Sequence, residues 1–216
     1  NMENKNTSLW NQIKTMFENS DRDIAVLGTY DSNEEKTVEL LGISPESVLA
    51  NIILNTSGVV VDNWVRIFGH TSSKTKGITG VNAVDNSGIP QRIPGMLIVG
   101  SDIVGGIFAI NLGKFSDNVG TVWYFAPDSL DWECLEFRYA EFIAWTAQDN
   151  MDRFYMSMRW QGWRNIAKEV SFNDGILIYP FLWSRESDIE NDKKSVVPFE
   201  EIFKINMDFK KKFMAE

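Results

Sequence analysis

The sequence predicts an α+β fold in which a central, mostly antiparallel sheet is covered by helices from both chain ends. Three observations carry this. Apolar residues recur at helical spacing before Asn55 and again from Tyr139 onward. β-branched and aromatic runs concentrate between Val59 and Phe137. The connections between those runs leave no room for crossover helices, which weighs against a doubly wound parallel sheet.

The elements follow in order. Leu9, Ile13, Met16 and Phe17 share one face of a first helix that starts near Ser8 and ends at Asp21–Asp23. Residues 31–40 suit a second short helix. Ser44-Pro45-Glu46 places a capping residue before a proline at the first helical position, and the helix that follows buries Val48, Leu49, Ile52 and Ile53. Val59–Val61 and Val65–Phe68 read as a hairpin turning at Asp62-Asn63. Residues 69–95, with Gly69, Gly77, Gly80, Gly88 and Gly95, read as a long loop. Strands resume at 96–99, 106–110, 121–125 and 132–137. The Gly105-Gly106 pair between two of them marks a tight turn or bulge. Tyr139, Phe142, Ile143 and Ala147 form a helix face, with further helices at 151–159 and 162–170. Residues 175–183 read as an apolar strand with Pro180 inside it, hence either an edge strand or an irregular crossing. Residues 184–197 read as a surface loop, and a last helix starts near Pro198 with Phe199, Ile202, Phe203, Phe209 and Phe213. The whole chain, 1–216, is expected to be a single domain.

Composition narrows the function. A net charge of −9 makes nucleic acid a poor partner and favours a basic protein. No apolar run approaches a membrane span. Cys134 is the sole cysteine, so no intrachain disulfide forms. That, with no basic and apolar leader in NMENKNTSLW, points to the cytoplasm; Asn1 reads either as a remnant before a native Met2 or as the residue left where a leader was removed.

No residue set assembles a catalytic or metal motif, and no cofactor is expected. His70 is the one histidine, which excludes the two-histidine zinc pattern, and its neighbours form no nucleophile elbow. Glu133 and Glu136 flank Cys134 and would raise its thiol pKa, so it reads as a small strand residue. The densest acidic stretch, Asp128, Asp131, Glu133, Glu136 and Glu141, lacks the spacing of a calcium loop. It suits a docking face for a basic partner, or simply a solvated face. A carboxylate-based hydrolase would need two of these groups about 5–9 Å apart across a cleft. Asp128, in Pro127-Asp128-Ser129, also suits a cap of its own loop. Trp160, Trp163 and Trp183 supply stacking surfaces for a small ligand or sugar, or pack the core, and Arg159 and Arg164 can stack on the indoles.

Several phrases resemble a bacterial family, the domain-of-unknown-function family numbered 2625: Asn55–Gly58 with Val61-Asp62, Gly105–Asn111, Val122–Trp132, Phe154-Tyr155, Arg159-Trp160 and Tyr179–Trp183. The resemblance runs from Leu9 to Phe213 and implies no activity. A looser likeness, through Gly58, the strands to Phe125 and Glu141-Phe142-Ile143, is to the SUKH superfamily of cell-wall regulators and toxin-immunity proteins. It implies an α+β fold and a protein-binding role, often neutralising a nuclease toxin. The leading expectation is therefore a non-enzymatic protein-binding domain of immunity type. A small-ligand module and a hydrolase are the alternatives.

Overall fold

The computed structural model describes residues 2–215, so Asn1 lies outside the described residues. Seven strands form one antiparallel meander: β1 (Ile24–Leu27), β2 (Gly58–Val61), β3 (Val65–Ile67), β4 (Met96–Asp102), β5 (Ile107–Asn111), β6 (Val122–Ala126) and β7 (Asp131–Cys134). Each strand pairs with its neighbour in sequence. A separate hairpin joins β8 (Asp174–Tyr179) to β9 (Lys193–Pro198). The helices are α1 (Met2–Glu18), α2 (Glu35–Leu40), α3 (Val48–Asn55), α4 (Ile78–Asn82), α5 (Tyr139–Gln148), α6 (Met151–Phe154), α7 (Trp163–Ala167) and α8 (Phe199–Met214). Among the described residues no helix is long and apolar enough to cross a membrane.

The central strands β4 and β6 are buried along their whole length, so both faces of the sheet are covered. On one face Phe108 and Tyr124 lie opposite each other and meet α5 through Phe142, 4.9 Å from Phe108 between ring centroids. Helices α1, α3 and α5 pack together there. On the other, Ile98, Ser101 and Ile107 look toward Phe199 and Phe203 of α8. The Ile176 amide donates to the Ile103 carbonyl at 2.6 Å and ties the second hairpin to the end of β4.

The β2–β3 turn has Asp62 and Asn63 at φ 54° and 53°, with the Trp64 amide closing on the Val61 carbonyl at 2.9 Å. Two left-handed residues match the twist of the strands they join. In the β4–β5 turn, a Cβ on Gly106 would stand 2.0 Å from Asp102 Oδ2, so no side chain fits there.

The structure departs from the sequence reading at definite places. Helix α1 starts at Met2 rather than near Ser8, because no glycine or proline interrupts the preceding residues. Strand β1 was not expected: its four apolar residues are too few to show a period. Ser47, not Ser44, caps α3, accepting from the Ala50 amide at 3.1 Å. The glycine-rich segment carries α4, and its Asn82 is fully buried. The Asn82 amide donates to the carbonyls of Ile78 and Ile98 at 2.8 Å each and accepts from the Ile98 amide at 2.7 Å. The strand read to residue 137 stops at Cys134, and Glu136 turns the chain at φ 62°. Helices α6 and α7 are single short turns, the second entered through Gly162 at φ 81°. The segment 184–197 holds most of β9, whose KKSVVP reads as polar because it is an exposed edge. Pro180 follows a cis peptide bond just beyond β8.

Candidate functional site

A cavity of about 200 Å³ lies between the sheet, the segment 69–95 and the start of α8. Its floor is apolar: Phe68, Ile98, Ile107, Phe172 and Phe203 contribute. Ser101 of β4 also lines it, 3% exposed and with no side-chain hydrogen bond among the described residues. Its hydroxyl is thus free to bond a guest in the cavity as donor or acceptor.

Charge gathers at the mouth. Glu200, in the first turn of α8, accepts from Lys76 Nζ at 2.8 Å and also from the Arg92 guanidinium. Arg92 in turn lies over the Phe203 ring, 4.1 Å from its centroid. Partial burial pushes the Glu200 carboxyl up, but the hydrogen bonds from Arg92 and Lys76 prevail and hold it below the usual carboxylate value. Asn173 accepts from the Lys76 amide at 2.8 Å and fixes that stretch of backbone. Asp174 completes the rim and makes no side-chain hydrogen bond or ion pair among the described residues.

Behind the cavity sit two buried ionisable side chains, each held by its own partners. Asp102, fully inaccessible, accepts from Tyr124 Oη at 2.7 Å, Tyr155 Oη at 2.9 Å, and the amides of Gly106 and Val104 at 2.8 and 3.1 Å. Burial pushes its pKa up, and these four donors pull it back only in part. Both phenols are pushed well above their ordinary value by burial and then by the charge of Asp102. Arg66, 2% exposed, donates to the carbonyls of Asn63 and Val170. Burial lowers its pKa to about 10 against the fields of Asp102 and Asp174.

The tryptophans named from the sequence fall into two clusters. Trp160 and Trp163 surround Trp64, at 6.0 and 5.1 Å between centroids, and Arg159 lies 4.0 Å over Trp163 and 4.5 Å over Trp64. Arg164 stacks on Trp163 at 4.3 Å. Trp183 stands apart, stacked on Phe181 at 5.1 Å and packed on Phe209 at 4.6 Å. The structure therefore does not bring all three indoles to one surface.

The acidic residues spread over β7, α5 and the loops on either side of β7. Asp131 and Glu133 are exposed on the same face of edge strand β7, and Asp131 pairs with Lys210 at 3.0 Å. Glu136 is exposed in the following turn, while Glu141 accepts from the Arg138 amide at 3.3 Å and caps α5. Asp128 accepts from Ser157 Oγ at 3.4 Å, and Ser129 rather than Asp128 serves its loop, accepting from the Asp131 amide at 3.3 Å. His70 is buried, with Nδ1 2.6 Å from the Ile53 carbonyl. Cys134 is half-buried, its Sγ 3.7 Å from Thr121 Oγ1. No group of three His, Cys, Asp or Glu among the described residues is arranged to hold a metal ion.

Lys76, Arg92, Ser101, Asp174 and Glu200 escape the sequence reading. The one available signal was the cationic character of the glycine-rich segment in an otherwise acidic chain.

The family described as "Protein of unknown function DUF2625" matches residues 1–202, most of the chain and all of the cavity residues save Phe203. The chain belongs to the DUF2625 family. This DUF2625 protein is 28% identical over 213 residues to the uncharacterized protein YbfG of Escherichia coli (strain K12), covering 97% of this chain and 95% of that protein. It is 27% identical over 209 residues to an uncharacterized protein of Haemophilus influenzae (strain ATCC 51907 / DSM 11121 / KW20 / Rd), covering 95% and 92%. No solved structure shows a significant match to this DUF2625 protein.

Proposed function

We propose that this protein is a small-ligand-binding domain whose site is the cavity beneath α8. The observation that supports this is an apolar space of about 200 Å³, with charged groups confined to its mouth and an unpartnered hydroxyl, Ser101, in its wall. Ligand sites are typically concave and mostly apolar, with a few convergent polar groups that orient the ligand. An apolar space of about 150 Å³ suffices for a benzene-sized guest. Ser101→Leu provides the test. It removes the hydroxyl and fills the space, so stability should rise by about 0.5–2 kcal/mol. Binding of a neutral probe such as toluene, followed by calorimetry, should vanish. A wild-type protein that takes up no toluene, with a Ser101→Leu variant destabilised as an overpacked core would be, refutes the reading.

A second reading rests on β7. Asp131 and Glu133 project together from a sheet edge, where charge can both block unwanted strand pairing and steer a basic protein. Such a partner is of the kind the immunity-type likeness implies. Charge reversal at Asp131, Glu133 and Glu136 should weaken its capture in a salt-dependent way. Unchanged affinity removes this surface from consideration.

A further inference from the structure

We propose that the ligand of the cavity is a free apolar α-amino acid, bound as its zwitterion with the side chain on the apolar floor. The inference rests on the ligand-site reading above and adds the chemical class. It comes from the charges at the mouth. Lys76 and Arg92 supply two cations, and Glu200 and Asp174 supply two carboxylates. Glu200 is shared by both cations, whereas the Asp174 side chain has no hydrogen bond or ion pair among the described residues. Asp174 lines the rim on the side of β8.

Each end of an amino acid has a place here. The α-carboxylate goes to Arg92 and Lys76, where a planar guanidinium already held against Phe203 suits two-point contact. The α-ammonium goes to Asp174. Glu200, whose side chain is 42% exposed, can turn to solvent while its two cations take the ligand. With Glu200 turned away, Arg92 and Lys76 need an anion and Asp174 still lacks a cation. A simple carboxylate would leave Asp174 unpaired, and a simple amine would leave Arg92 and Lys76 without an anion. A charge left unpaired in a partly buried rim is costly, so the zwitterion, which pairs all three, is preferred over either half. The floor, at about 200 Å³, accommodates a branched or aromatic side chain.

Titration calorimetry of the full chain with four probes tests this: L-leucine, L-leucinamide (no carboxylate), 4-methylpentanoate (no ammonium) and toluene. L-leucine should bind at least tenfold more tightly than each of the others. Asp174→Asn should weaken L-leucine about as much as it weakens L-leucinamide and leave 4-methylpentanoate unchanged. Arg92→Gln should weaken L-leucine and 4-methylpentanoate and spare L-leucinamide. If either variant fails to fold, the four-probe ranking on the wild-type protein still decides. Toluene or 4-methylpentanoate binding as tightly as L-leucine overturns the amino-acid assignment and leaves the cavity as a ligand site. Absence of binding by all four overturns both.

Discussion

Removing a single phenol oxygen from the core should reveal how the buried Asp102 is held. Tyr124 and Tyr155 both donate to Asp102 Oδ2, at 2.7 and 2.9 Å, in a place with no solvent. Tyr155→Phe or Tyr124→Phe keeps the ring and deletes one donor. A hydrogen bond to a charged group contributes about 1.5–3 kcal/mol. For a chain of this length that corresponds to a fall in Tm of about 3–12 °C. The dependence on pH sharpens the test. Burial raises the native pKa of Asp102 above its unfolded value, so its contribution is complete below the ordinary carboxyl range and is lost as pH rises through the native pKa. The phenols favour the ionised form, and deleting one raises that pKa further. The penalty for Tyr→Phe should therefore grow as pH rises through the native pKa of Asp102. In an Asp102→Asn background it should drop below about 1 kcal/mol, because there is no charge left to stabilise. Urea unfolding of the three single variants and the two double variants across a series of pH values supplies the numbers. A penalty that is flat with pH, or unchanged by Asp102→Asn, would refute the reasoning.

Gly106→Ala forces a Cβ against Asp102 Oδ2 and should cost about 1–3 kcal/mol, visible as a lower thermal midpoint. Asn82→Ala leaves the Ile98 amide and carbonyl without their side-chain partner and should cost at least about 2 kcal/mol; limited proteolysis should then cut first within 69–95. Glu200→Gln should cost under about 1 kcal/mol, since the pairs are partly exposed. Because its carboxyl is depressed, the wild-type advantage should be present above the ordinary glutamate value and fade as pH falls through the native one, as denaturant midpoints across that range will report.

The sheet was legible because its middle strands are long enough to show β-branched and aromatic runs, and because Asp62-Asn63 and Gly105-Gly106 mark the turns between them. What escaped was short or exposed. Ile24–Leu27 shows no alternation, and Lys193–Pro198 looks like a charged loop because one side of that hairpin faces water. The five-residue α4 is held by Asn82 reaching across to β4, a tertiary contact that local composition does not encode. The site was the least visible part. Lys76 and Glu200 stand 124 residues apart, and Arg92 and Glu200 stand 108 apart. Nothing in either neighbourhood announces the other. The tryptophans, conspicuous by type, turned out to be spent largely on packing arginines and phenylalanines.

The strand order has a consequence for how the chain is born. Every partner in the meander is the next strand along, so each ribbon can zip onto the last as it leaves the ribosome, and the sheet is complete once Cys134 has emerged. The cavity is on a different schedule. Its roof and the one anionic clasp that Lys76 and Arg92 have among the described residues arrive with Phe199, Glu200 and Phe203, after the second hairpin. A nascent chain halted before Pro198 would thus carry a finished sheet and an open trough. Any ligand taken up during synthesis must wait for the last helix to dock.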